Sequence, residues 1–178
     1  MDCFSGSGIS KVVVCLIMPY NISKRKKRGL VMKAVVTRVK EARVEIDGVV
    51  KGSIQEGFLV LLGIAPNVET GDVVKLVDKI CGCRVFADEN KKMNLNLSAI
   101  GGKLLVISQF TLFADLKSRR PGFTGAAKPD IAIPLYEKFI TECKKRGFLI
   151  ESGEFGADMQ VYSINDGPVT LLFNSKEL

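Results

Sequence analysis

The chain has 178 residues, 47% of them hydrophobic and 25% charged, enough length and apolar content for one domain with a full core. It contains no histidine, which removes the commonest general base, the commonest metal ligand and every Ser-His or Cys-His nucleophile pair. The net charge of +7 is uneven: residues 1–31 carry Lys11, Lys24, Arg25, Lys26, Lys27 and Arg28 against Asp2, so residues 32–178 are close to neutral and any nucleic acid they meet must be held by a local patch.

In residues 1–31 the apolar run Val12–Met18 is too short to span a bilayer, and the basic cluster follows it, the reverse of a secretory signal. This segment is read as an extension outside the fold, an upstream addition with Met32 opening a domain over 32–178. A targeting leader and a basic arm touching RNA are the alternatives. The cysteines are Cys3, Cys15, Cys81, Cys83 and Cys143, an odd count with one C-x-C spacing and no second pair to complete a zinc site. They suit reduced thiols in a cytoplasmic protein, with no metal and no cofactor expected.

From Met32 the elements follow in order. Ala34–Val39 reads as a strand containing one charge, Arg38, which needs an edge position or a specific partner. Arg43–Ile46, Asp47-Gly48 and Val49–Gly52 read as a hairpin around a tight turn. Phe58–Ile64 is apolar without alternation and predicts a strand covered on both faces. Thr70 is placed as the cap of a helix from Gly71, with Val73, Leu76, Val77 and Ile80 as its stripe. Short extended pieces are expected at Arg84–Phe86 and Leu95–Leu97, flanking a polar loop. Leu104–Phe113 is read as one strand interrupted by Ser108, Gln109 and Thr111, polar side chains that either pair locally or line a pocket.

The following loop, Lys117–Pro129, is rich in Gly and Pro and carries Lys117, Arg119, Arg120 and Lys128. It is either a solvated surface loop or a phosphate-contacting flap. A second helix follows, capped by Asp130 and ended by Gly147, with Tyr136, Phe139, Ile140 and Cys143 as its buried stripe. Phe148–Glu151, Met159–Ile164 and Val169–Phe173 are strands, the last two joined by a turn at Asn165-Asp166-Gly167-Pro168. The order predicts an α/β protein, mixed β-sheets with two helices packed on one side.

Two motifs, Ser108-Gln109-Phe110-Thr111-Leu112 and Asn165-Asp166-Gly167-Pro168-Val169-Thr170, together resemble the signatures of the D-aminoacyl-tRNA deacylase family. Met32–Val39, Arg119-Arg120-Pro121 with Phe123, and Gly153–Met159 add to the likeness, which covers 32–178 and departs from the family at Gly122, where a Ser is usual. The resemblance implies the family's three-layer fold and a homodimer with active sites at the subunit interface. The implied reaction is hydrolysis of the ester joining a D-amino acid, or mischarged glycine, to the 3′-terminal adenosine of tRNA. It implies no membrane or DNA partner.

The resemblance also assigns roles. Ser108, Gln109, Phe110, Thr111 and Met159 would contact substrate. Gly167-Pro168, a cis peptide in the family, would enter the partner's site and wall off L side chains, while Arg38 would brace that loop. Gly before Pro suits this task, since X-Pro is the ordinary bond at which cis is accessible and Gly lacks the Cβ that would block close approach. Thr111 has no evident base, so substrate-assisted hydrolysis is preferred to attack by its hydroxyl. The ribose 2′-hydroxyl would help activate water, and backbone N–H groups near Phe110 and Thr111 would hold the oxyanion. A tRNA-binding module without chemistry and a plain interaction protein are the other classes; release of amino acid from charged tRNA separates them.

Overall fold

The computed structural model describes residues 31–178, so the expectation for the N-terminal extension falls outside them except at Val31. Val31 is buried, and its carbonyl accepts from the Ala65 N–H at 3.1 Å.

Strand β1 (Met32–Ile46) is the longest partner in the sheet. It pairs antiparallel with β2 (Val49–Ile54) and β3 (Gly57–Ile64) on one edge, and with β8 (Gln160–Asn174) on the other. β3 continues the sheet in parallel to β6 (Lys103–Ser108), and β6 in parallel to β7 (Ile150–Ser152). Between them lie helix α1 (Thr70–Cys81), the small hairpin β4 (Phe86–Ala87) and β5 (Met93–Leu95), and helix α2 (Pro129–Lys145). The two expected strands at 34–39 and 43–46 are thus one strand. The turn that ends it has positive φ at both Asp47 and Gly48, as a tight two-residue hairpin turn demands.

Alternation along β1 divides the core into two. Met32, Ala34 and Val36 face the helices together with Phe58, Val60, Leu62, Leu104 and Val106. The register with β8 shifts on both sides of Val39, and beyond it Ala42 and Val44 join Val39, Ile54, Leu59, Leu105 and Ile107 in a second cluster on the opposite face. The irregularity lets the β1–β2 hairpin fold back over the sheet, so β3 is covered on both faces as its unbroken apolar run requires. Helices, sheet and folded-back hairpin are the layers of this α/β fold. The α1 stripe of Val73, Leu76, Val77 and Ile80 is buried, as are Tyr136, Phe139 and Cys143 on α2, whereas the expected Ile140 is only partly buried at the edge of the core.

Several boundaries differ from expectation. Helix α1 is capped by Glu69 rather than Thr70, with the Asp72 carboxylate accepting from the Glu69 N–H at 3.3 Å. Helix α2 opens at Lys128-Pro129, where proline's missing N–H costs nothing, and not at Asp130. The expected Leu104–Phe113 strand stops at Ser108, and Phe110–Phe113 form a 3-10 turn. The expected turn at Asn165–Pro168 is instead a bulge inside β8. Asn165 pairs with Val39 and Thr170 with Thr37, so the chain between them loops out opposite Arg38 and the strand resumes on the same partner.

Candidate active site

The end of β6 builds the site. The Gln109 N–H donates to the Leu62 carbonyl at 2.8 Å, extending the β3–β6 ladder by one bond before the chain turns. The 3-10 turn then presses on Gly63: a Cβ there would stand 3.0 Å from the Gln109 carbonyl oxygen and 3.0 Å from the Phe113 ring. Glycine is what lets the turn seat against β3. The N–H groups of Phe110 and Thr111 open the turn, where no intrahelical acceptor exists, and no protein acceptor is found for either among the described residues.

A cavity of about 240 Å³ opens beside this turn, lined by Ser108, Gln109, Phe110, Ala132, Phe155 and Met159 among others. Its walls are largely apolar, with Ser108 and Gln109 as polar edges, the composition of a pocket for a flat organic group. Phe110 is 57% exposed and meets Phe123 edge-on, ring centroids 5.1 Å apart. Phe155 is backed by Tyr136 at 6.0 Å. The Tyr136 hydroxyl donates to the Val106 carbonyl at 2.7 Å, and burial pushes its pKa up to about 12, so it stays a neutral donor and does not titrate near neutrality.

Thr111 is exposed at the turn and does not line the cavity. Its hydroxyl accepts from the Gln109 side-chain amide. The Lys33 ammonium is engaged nearby, donating to the Leu112 carbonyl at 3.1 Å and lying 4.7 Å from the centre of the Phe113 ring. Among the described residues no three His, Cys, Asp or Glu side chains come together.

Met159 reaches the cavity across Gly153, where a Cβ would stand 2.4 Å from the Met159 sulfur. Gly153→Ala should therefore push the thioether into the cavity and raise KM several-fold, while thermal stability changes little because Met is flexible. Steady-state kinetics beside a melting curve check this; a matched loss in both would show that Gly153 serves packing alone.

Gly167 and Pro168 lie elsewhere. Their peptide bond is cis, Gly167 has φ 111°, and a Cβ on Gly167 would meet the Arg38 guanidinium at 2.9 Å. Arg38 Nε stands 2.8 Å from the Asp166 carboxylate, an ion pair whose direction is off the N–H axis, since Nε has no aligned hydrogen-bond acceptor. Another nitrogen of the same guanidinium donates to the Val85 carbonyl. The charge inside β1 is thus met by a carboxylate and a carbonyl. Along β8, Val161 at the cavity and Gly167 in the bulge are six residues apart, roughly 20 Å of extended chain. Within the chain the two motifs do not meet.

Ser108, Gln109, Phe110 and Met159 thus come together, while Thr111 stands at the rim and Gly167, Pro168 and Arg38 form a separate site. Phe155 and Ala132 are lining residues that the sequence reading did not single out. A lone aromatic among glycines was the available signal for the first; nothing distinguished the second from other alanines on α2.

A family model described as D-Tyr-tRNA(Tyr) deacylase matches residues 35–174. The chain belongs to that family. It is a hydrolase of D-aminoacyl-tRNA. A D-aminoacyl-tRNA deacylase of Thermosipho africanus is 51% identical over 148 residues, covering 83% of this chain and 99% of the relative. A namesake from Clostridioides difficile is 49% identical, covering 82% and 99%. A solved structure titled c-Myc DNA Unwinding Element Binding Protein superposes with a TM-score of 0.75 at 39% identity, covering 79% of this chain and 97% of that one. A probable eukaryotic D-amino acid tRNA deacylase superposes at 0.70 with 15% identity, covering 81% and 99%, a likeness of fold. The deacylase family thus accounts for the mixed sheet, the two helices and the colinear motifs together. Among the described residues no helix is long and apolar enough to cross a membrane.

Proposed function

We propose that residues 32–178 form the deacylase domain and act as a homodimer in the cytoplasm. Each protomer's cavity receives the 3′-terminal adenosine of tRNA and is completed by the Gly167-Pro168 loop of its partner. The observation that carries this is the separation of the two motifs within one chain: the cavity, with the Phe110 and Thr111 N–H groups that find no acceptor among the described residues, lies at one place and the looped-out Gly167-Pro168 segment at another. A two-fold axis exchanges such elements reciprocally. Among the described residues strand β8 pairs only with β1, and it exposes Ile164 and Leu172, 55% and 71% accessible, which suits an interface.

In the dimer, Ser108, Gln109, Phe110 and Met159 seat the adenosine and the ester, and the loop's backbone carbonyls face the α-carbon of the aminoacyl group. An L side chain collides with that wall, a D side chain points away from it, and glycine has nothing to exclude, so glycyl-tRNA is also cleaved. Water attacks the ester carbonyl with help from the ribose 2′-hydroxyl. The oxyanion is held by the Phe110 and Thr111 N–H groups, and the ribose 3′-oxygen leaves with a proton.

The test is release of amino acid from D-Tyr-tRNA, Gly-tRNA and L-Tyr-tRNA. The first two should be cleaved and the third spared by at least about a hundredfold, the scale of a few kcal/mol of steric clash. Equal rates on both tyrosyl enantiomers would remove the wall from the account.

A further inference from the structure

The loop between the 3-10 turn and α2 is fastened at the mouth of the cavity and presents two arginines that make no ion pair among the described residues. Asp115 and Gly122 exchange two backbone hydrogen bonds, at 2.7 and 3.0 Å, closing off residues 116–121 as a projection. After the closure Phe123 rests edge-on against Phe110 at the cavity rim, and the Ala127 N–H donates to the Ile64 carbonyl at 2.8 Å, both residues lining the cavity. The base of the projection is thus held to the site at two points. Six residues doubled back on themselves reach about 10 Å from that base.

Residues 115–124 are all exposed. Lys117 has only its exposed neighbour Asp115, at 3.5 Å, and Arg119 and Arg120 make no ion pair among the described residues. Lys128 adds a fourth cation where the loop joins α2. Residues 32–178 are otherwise nearly neutral, so this is a local patch and not the edge of a general field. Planar guanidinium forks are the side chains best suited to phosphate oxygens.

We propose that this projection is a phosphate clamp for the single-stranded end of the tRNA acceptor, with Arg119 and Arg120 gripping the phosphodiesters that precede the terminal adenosine. It rests on the reading that the cavity holds that adenosine. A nucleotide chain leaving the cavity past Phe110 and Phe123 runs directly under the loop, within its reach of the first one or two phosphates. The clamp explains how a small, weakly polar cavity commits to tRNA rather than to any aminoacyl ester: the cavity reads the end group, and the loop reads the backbone attached to it.

Two substrates separate those parts, D-Tyr-tRNA and 3′-O-D-tyrosyl-adenosine, which carries no phosphate. The Arg119→Ala/Arg120→Ala double variant should raise KM for D-Tyr-tRNA about tenfold and flatten the log–log salt dependence of kcat/KM by about 1.4, two single-strand phosphate contacts. Its kcat/KM on the tyrosyl-adenosine should stay within about twofold of wild type, and Arg119→Lys/Arg120→Lys should recover part of the tRNA affinity. An unaltered KM and salt slope for tRNA would overturn the clamp. So would an equal loss on both substrates, which would make the loop part of the cavity wall. Filter binding of uncharged tRNA distinguishes failure of the clamp from failure of the adenosine reading. A wild type that cleaves neither ester but loses tRNA affinity on the double substitution keeps the clamp and discards the assignment of the cavity.

Discussion

Arg38→Ala should cost about 2 kcal/mol of stability and lower kcat/KM on D-Tyr-tRNA by about a hundredfold. The stability term follows from what the guanidinium leaves behind. Its side chain is 11% exposed and faces Asp166, 24% exposed, and the Val85 carbonyl. Removing one partner of a well-covered ion pair strands the other charge, at up to about 3–5 kcal/mol. The cost stays below that range because Asp166 keeps some solvent and has Lys40 at 3.6 Å as a second partner. In a domain of this size about 2 kcal/mol lowers Tm by roughly 4–8 °C.

The kinetic term follows from position. The guanidinium lies against Gly167, so its loss frees a bulge that β1 otherwise pairs only at Asn165 and Thr170. A shift of about 1 Å in a catalytic or excluding group is enough for a hundredfold effect. Arg38→Lys should restore charge but not the fork, recovering stability more than rate. The two readouts are a urea or thermal melt and single-turnover deacylation of D-Tyr-tRNA. Lost stability with unaltered kinetics would reduce Arg38 to a structural ion pair.

The same region shows what could be read from the sequence and what could not. The helices were legible because burial follows their 3.6-residue period, and Tyr136, Phe139 and Cys143 are buried as spaced. β3 was legible because an unbroken apolar run has no other stable home. Asn165–Pro168 was not, since the residues that make a hairpin turn also make a bulge. The choice was settled by the length of β1, whose two halves both pair with β8. Phe110–Phe113 misled for a similar reason: Phe, Leu and Phe suit a strand, but the bond from Gln109 to the Leu62 carbonyl and the close approach to Gly63 turn them aside. That turn changes Thr111 from a strand residue into a rim residue. Ser108 and Gln109 were therefore legible as polar residues wanting partners, and the division of the two motifs between cavity, rim and distant loop was not.

A D-Tyr-tRNA ending in 2′-deoxyadenosine should be hydrolysed about a thousandfold more slowly than the natural ester, whereas Thr111→Ala should retain activity within about threefold. Both expectations come from the supply of bases. The chain has no histidine. The Thr111 hydroxyl is partnered by the Gln109 amide, which donates to it and cannot take its proton. Lys33, the cation near the turn, is occupied by the Leu112 carbonyl and the Phe113 ring. Among the described residues a threonine so placed has no base to activate it. On the proposed mechanism the protein's own contribution is positioning and the two N–H donors, and loss of one such donor is worth about 10²–10³ in comparable sites. On that proposal moving the proton falls to the substrate, and general acid–base assistance of that kind contributes about 10²–10⁴. Quenched single-turnover assays with labelled D-tyrosine, with affinities measured separately for each tRNA, separate binding from chemistry. If Thr111→Ala abolished release while tRNA still bound, and the deoxy ester were cleaved normally, the hydroxyl of Thr111 would have to be the nucleophile and its base would have to come from outside the described residues of this chain.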